Sequence, residues 1–247
     1  MKPTKPKLNI LLVNDDGHDA PGIVVLHKIL QAYGNVTIVA PTHHMSGKSV
    51  SMTFWGGLTV TNINKNYYHM NGTPADCVSY ARSRVEKVDL VVSGCNNGNN
   101  VSYDTIYSGT VGACVEANMN HIPSIAFSTD DNYFEIVKKE AKSVLDYIFK
   151  FKLTSPNYIL NVNFPVAEFK KSKGIKLTTL GFRKDNIYHK DHNDGRIYAY
   201  RDINWNHPCT SECDYVAIKE GYISITPLSY SLFDNAAYFE IQQKIKK

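Results

Sequence analysis

The sequence predicts an α/β fold with a mostly parallel sheet flanked by helices, and three observations carry that prediction. Short continuous apolar runs recur along the chain, each closed by a polar or Gly-containing loop, which is the pattern of strands buried on both faces. Between them lie segments whose apolar residues repeat at helical spacing. Near the start, strand, helix and strand follow within about thirty residues, a βαβ unit whose crossover is right-handed almost without exception.

The first run, Asn9-Ile10-Leu11-Leu12-Val13, ends at Asn14-Asp15-Asp16-Gly17. Residues 22–33 then carry Ile23, Leu26, Ile29 and Leu30 on one helical face, with Gly34 where a helix stop belongs. Residues 36–40 form a second strand. Thr73-Pro74-Ala75-Asp76 opens a helix, with Thr73 as N-cap, Pro74 at the first helical position and an acid in the first turn. Residues 89–93 read as a buried strand running into the polar loop 94–100, on the same side of the sheet as Asp15. Ser108-Gly109-Thr110 leads into a helix carrying Val111, Cys114, Val115 and Met119, followed by a strand at 124–128, a longer helix around 134–149 and a strand at 158–162. Beyond it the long apolar runs thin out and Tyr becomes frequent, with alternation at 175–180 and 186–200. Asn193-Asp194-Gly195 marks a hairpin tip. So polar and Tyr-rich a hairpin either reaches a neighbouring subunit or forms a solvent-facing flap. Residues 221–228 read as one more strand, ended by Pro227.

A chain of 247 residues, 43% hydrophobic and 20% charged, fits an ordinary globular protein. We read residues 7–247 as a single domain, with a core at about 8–165 and a C-terminal hairpin and tail at about 174–247. The net charge of +4 is dispersed, apart from Lys2, Lys5 and Lys7 and a Lys-rich end, and no nucleic acid polymer is expected as a partner. No apolar run approaches a bilayer span and the first residues hold no signal-peptide core, so a cytoplasmic protein without a membrane partner is expected. Of five cysteines, three lie in apolar periodic segments, and no disulfide framework is expected. His207, Cys209 and Cys213 make only a weak zinc pattern, and the plainer reading is a loop with two incidental thiols.

The chemistry lies at the predicted strand ends. Asp15 and Asp16 are adjacent like charges where open α/β sheets bind ligands, and a hard divalent cation relieves their repulsion. A simple turn is the plainer alternative. Ser46, Asn96, Asn100, Ser108 and Thr110 follow at other strand ends, and an all-oxygen set selects Mg²⁺, Mn²⁺ or Ca²⁺ over zinc or copper. Ser108-Gly109-Thr110 at a helix start suits a phosphate. Three rival motifs fail. Ser46-Gly47-Lys48-Ser49 lacks the first Gly of a P-loop, since that position is Thr42. The first strand is followed by acids where a dinucleotide fingerprint needs Gly, and Asn14 stands where an aspartyl-phosphate enzyme needs its nucleophile. That leaves metal-activated water as the attacking group, one of Asp15 and Asp16 also orienting or deprotonating it. His18, His43 and His44 flank the site as general-acid candidates, with ordinary loop histidines as the plainer reading. Tyr103 and Tyr107 could stack on a base, although packing against the loop is the plainer role for both.

The runs 14–17, Ala40-Pro41 with Ser46, 72–78, 93–98, 107–113 and 224–228 together resemble the survival protein E (SurE) nucleotidases, in the same order over nearly the whole chain. The resemblance implies a Rossmann-like core and a metal-dependent 5'(3')-nucleotidase that converts nucleoside monophosphates to nucleoside and phosphate, with exopolyphosphatase activity as an extension. It implies one divalent cation per subunit, Mg²⁺ or Mn²⁺ with Ca²⁺ as another occupant, held by Asp15, Asp16, Ser46 and Asn96. Asn100, Ser108, Gly109 and Thr110 would hold the phosphate. It further implies a homodimer or tetramer that exchanges the C-terminal part between subunits. Two stretches depart from the family pattern, Ser49-Val50-Ser51 and Asn97. A non-catalytic nucleotide-binding module and an oligomeric assembly protein are the alternatives, separated from an enzyme by phosphate release with and without chelator.

Overall fold

In the computed structural model, which describes residues 7–84 and 87–245, β1 (Leu8–Val13), α1 (Pro21–Leu30) and β2 (Gly34–Pro41) form the expected βαβ unit with β1 parallel to β2. Lys2, Lys5 and the last two lysines of the basic ends lie outside the described residues. Two strands that no apolar run announces follow, β3 (Val60–Asn64) and β4 (Tyr67–Met70). They pair with each other antiparallel, and β4 lies parallel to β2. Then come α2 (Pro74–Arg84), β5 (Leu90–Asn97), a single turn α3 (Asp104–Tyr107), α4 (Gly109–Met119), β6 (Ser124–Thr129), α5 (Phe134–Lys150) and β7 (Ile159–Asn163). The remainder is β8 (Ile175–Leu177), β9 (Asn186–Asp191), β10 (Ile197–Asp202), α6 (Asp214–Lys219), β11 (Ile223–Leu228) and α7 (Asn235–Ile245).

The main sheet runs β3-β4-β2-β1-β5-β6-β7-β11-β8 and is parallel from β4 through β7. Period-2 alternation along β1 sends its side chains to two cores. Ile10 and Leu12 join Leu26 of α1 and Val144 of α5 on one face, while Leu11 and Val13 join Val78 of α2 and Ala117 of α4 on the other. Helices therefore cover both faces. The start of α2 is a reciprocal cap, with the Thr73 hydroxyl accepting from the Asp76 amide at 3.1 Å and the Asp76 carboxylate accepting from the Thr73 amide at 2.9 Å.

Two expectations are corrected. The strand at 221–228 does not stop at Pro227: β11 continues to Leu228 and pairs antiparallel with β7, Pro227 opposite Leu160. Its parallel partner β8 reaches only Ile225, so beyond that point one side of β11 is free and a residue without an N–H is tolerated there. Cys209 and Cys213 are not incidental thiols but a disulfide within the loop before α6, with Cα atoms 6.4 Å apart, a span disulfides allow. Neither thiol is then a metal ligand. The hairpin expected around 193–195 is present as β9 and β10, a separate two-stranded sheet whose tip uses Gly195 at positive φ. Among the described residues no helix is long and apolar enough to cross a membrane.

Candidate active site

β1 has β2 on one side and β5 on the other, so the strand order reverses there, and the crevice outside the carboxyl ends at such a switch point is where α/β sheets bind ligands. Asp15 and Asp16 follow β1, and Asn96 and Asn97 end β5. The two loops are tied together, the Asn97 amide donating to Asp16 at 3.0 Å.

Asp15 is 2% exposed. Burial pushes its carboxyl above the ordinary carboxylate range, and the neighbouring Asp16 charge adds to this. The Thr110 hydroxyl, donating to Asp15 at 2.5 Å, acts the other way. Burial also raises Asp16, against the Asn97 amide and His44, whose Nε2 lies 3.4 Å away. Two adjacent carboxylates held out of water like this are poised for a counter-charge. The start of α4 approaches them as closely as glycine permits, for a Cβ on Gly109 would stand 2.9 Å from the Asp15 Cβ.

Asn96 supplies the test of fit for a cation. Its Nδ2 donates to the Gly98 carbonyl at 2.7 Å, while its Oδ1 is buried with no hydrogen-bond partner among the described residues. An unpartnered amide oxygen is costly unless something else binds it, and an oxygen ligand for a hard cation is what such an atom offers. Among the described residues no group of three His, Cys, Asp or Glu side chains is placed to hold a metal. The donors found here are two carboxylates, an amide and a hydroxyl. They fit Mg²⁺, Mn²⁺ or Ca²⁺ by chemistry.

Asp15, Ser46, Asn96, Asn100 and Ser108 line one cavity of about 300 Å³. Ser46 stands exposed at its mouth, Oγ 3.1 Å from His44 Nε2, on a loop held by the Met45 amide on the Asp15 carbonyl (2.7 Å) and the Ser49 amide on the Tyr107 carbonyl (2.9 Å). Asn100 is fixed on all sides. Its Nδ2 donates to Ser128 at 2.9 Å, its amide donates to Asn163 and its carbonyl accepts from Asn161 and Asn163. Ser108 caps α4 by accepting from the Val111 amide at 3.1 Å, which leaves its own hydroxyl proton to donate elsewhere.

Thr110, expected on the phosphate, is instead fully buried with its hydroxyl on Asp15, and neither it nor Gly109 or Asp16 lines the cavity. We therefore expect Thr110→Val, nearly isosteric, to lower kcat/KM by about tenfold through a misaligned Asp15, the scale of one buried hydrogen bond to a charged group; steady-state kinetics on a folded variant check it. The histidines divide. His44 bridges Asp16 and Ser46, whereas His18 stacks on His69 at 4.4 Å between ring centroids. Burial and the nearby His18 and His43 hold the His69 pKa low. Tyr103 packs on Phe182, while Tyr107 lines the cavity.

The cavity also contains residues that no sequence signal singled out, among them Asp104, Asp130, Asp131, Arg183 and Trp205. Asp130 and Asp131 follow β6 directly, and the strand-end rule that identified Asp15 would have found them. Arg183 and Trp205 come from the polar C-terminal region, where no periodicity points inward.

The family model of the survival protein SurE matches residues 10–186. A 5'-nucleotidase SurE from Idiomarina loihiensis is 36% identical over 233 residues, covering 91% of this chain and 93% of its own. A second 5'-nucleotidase SurE, from Histophilus somni strain 2336, is 36% identical over 246 residues, covering 97% of this chain and all of its own. The crystal structure of a SurE protein from Aquifex aeolicus superimposes with a TM-score of 0.82 at 34% identity, covering 97% of this chain and 100% of that one.

Proposed function

Because the chain belongs to the SurE family, we propose that it is a metal-dependent phosphomonoesterase that hydrolyses nucleoside 5'-monophosphates, and 3'-monophosphates as well, to nucleoside and phosphate. The observation that carries the reading is the buried Oδ1 of Asn96, without a hydrogen-bond partner among the described residues, in the same cavity as Asp15 and Ser108. Asp15, Asp16, Ser46 and Asn96 would hold one divalent cation, which when bound polarises a phosphoryl oxygen and lowers the pKa of a water.

The chain's own groups do the rest. Ser108 donates its hydroxyl proton to a phosphoryl oxygen at the positive end of α4, whose Val111 and Thr110 amides already face Ser108 Oγ and the Asp15 carboxylate. Asn100, held rigid by Ser128, Asn161 and Asn163, offers an amide that needs no reorganisation as charge develops. Thr110 keeps Asp15 in one rotamer. Asp16, less buried than Asp15 and beside His44, would orient the attacking water.

Exposed apolar groups on α7, which buries none of its residues, and the projecting β9–β10 hairpin support a homo-oligomer built through the C-terminal part. The decisive experiment is phosphate release from AMP, GMP, CMP and UMP with Mg²⁺, Mn²⁺ and Ca²⁺. Release that chelator abolishes and a divalent ion restores is the expected result. Binding of monophosphate without release, or release indifferent to chelator, overturns the reading.

A further inference from the structure

Besides its polar residues, the cavity is bounded by Ile203 and Trp205, from the segment between β10 and α6. Trp205 is half-buried and held in place. The Arg183 guanidinium carbon lies 4.7 Å from its ring centroid, within cation–π range. Arg183 is itself 1% exposed and paired with Asp104 at 3.0 Å and Asp185 at 2.9 Å, and Arg201 pairs with the same two acids. The Asp104 carbonyl in turn accepts the Ser108 amide at 3.0 Å. A chain of direct contacts thus joins the indole to the residue at the phosphate end.

Two guanidiniums against two carboxylates leave this wall with no net positive charge for a second phosphate, although Arg183 Nη1 is buried with no hydrogen-bond partner among the described residues. It presents an indole and an aliphatic side chain. A nucleoside monophosphate needs opposite environments at its two ends, donors and a cation around the phosphate and an apolar flat surface for the base. We propose that Trp205 is a specificity-determining residue that packs against the nucleoside of the substrate. Aromatic rings accept any base, because every base has a π face, so this contact selects nucleoside monophosphates over small phosphomonoesters without ranking the bases. The proposal rests on the nucleotidase reading above and names its substrate-side contact.

The test uses the chain's two tryptophans. Trp55 is 91% exposed and outside the cavity, so Trp55→Phe leaves Trp205 as the sole indole fluorophore. Adenosine is expected to quench its emission saturably, and glycerol phosphate to leave it unchanged. In parallel, Trp205→Ala is expected to raise KM for AMP roughly tenfold, the scale of one lost base–aromatic stack, at nearly unchanged kcat. The KM for glycerol phosphate should rise far less than that for AMP, and Trp205→Phe should recover most of the AMP affinity. A protein that hydrolyses AMP but shows no adenosine quenching overturns the proposal, as does equal loss on AMP and glycerol phosphate in Trp205→Ala. Absence of all hydrolysis in the parent overturns the nucleotidase reading instead, and the adenosine titration, which needs no turnover, still decides whether Trp205 meets the nucleoside.

Discussion

Asp15→Asn is expected to lower kcat/KM for a nucleoside monophosphate by more than about 100-fold, since even partners one shell removed from a metal typically cost roughly 10–100-fold. The amide keeps the volume of the side chain and can still meet Thr110, so the loss reports charge and not packing. The same variant carries a second expectation, of opposite sign. Burial raises the Asp15 pKa above the ordinary carboxylate value, so the folded chain holds this proton more tightly than the unfolded chain does. Stability contributed by that difference is present at low pH and lost as pH rises through the raised value. At neutral pH the charged form is therefore a net cost to the metal-free fold, added to by Asp16. Asp15→Asn in chelator should accordingly melt no lower than the parent while its activity is gone, the trade between stability and function expected at a built site. Calorimetric titration with Mn²⁺ and a thermal melt in chelator check both halves. A variant that retains both full activity and parental metal affinity would sink the assignment of Asp15.

The largest stability effect is expected from Gly22→Ala. An added Cβ would lie 1.9 Å from the Cys95 carbonyl oxygen, 2.9 Å from its carbon and 3.1 Å from the Phe134 ring. The obstacle is mainly strand backbone, which cannot rotate away as a side chain can. α1 must lift off β5, opening the core that Ile23, Leu26 and Cys95 share. Overpacking of this kind costs about 3 kcal/mol, which for a chain of this size lowers the melting temperature by roughly 6–12 °C. Alanine favours helix over glycine by only about 1 kcal/mol, so propensity does not rescue the variant. A urea midpoint equal to the parent's would show that α1 does not rest on β5 as described. Because Cys95 precedes Asn96, residual folded protein should also lose activity.

The parallel core was legible because its signals are local. Strands such as residues 9–13 and 124–128 are continuous apolar runs, the helices between them keep a clean face, and Thr73-Pro74 caps the helix as such a pair does elsewhere. β3 and β4 escaped because they are short, half-exposed and rich in Asn and Tyr, and they hold together by pairing with β2. The same cause hid Arg183 and Trp205. A buried arginine is stable only where acids neutralise it, and here one partner, Asp185, is two residues on while the other, Asp104, is 79 residues away and invisible to any local pattern.

From the chain order alone came the βαβ start, the placing of Asp15, Asp16, Ser46, Asn96, Asn100 and Ser108 at strand ends, and the hard-oxygen character of the set, because strand periodicity and side-chain chemistry are properties of neighbouring residues. Only the tertiary structure decided that Thr110 donates its hydroxyl to Asp15, that Asn96 Oδ1 lies buried without a hydrogen-bond partner among the described residues, and that a tryptophan from the C-terminal segment bounds the site. Those outcomes depend on which groups share a buried volume, where each polar atom must find its partner across the fold, and spacing along the chain does not encode that.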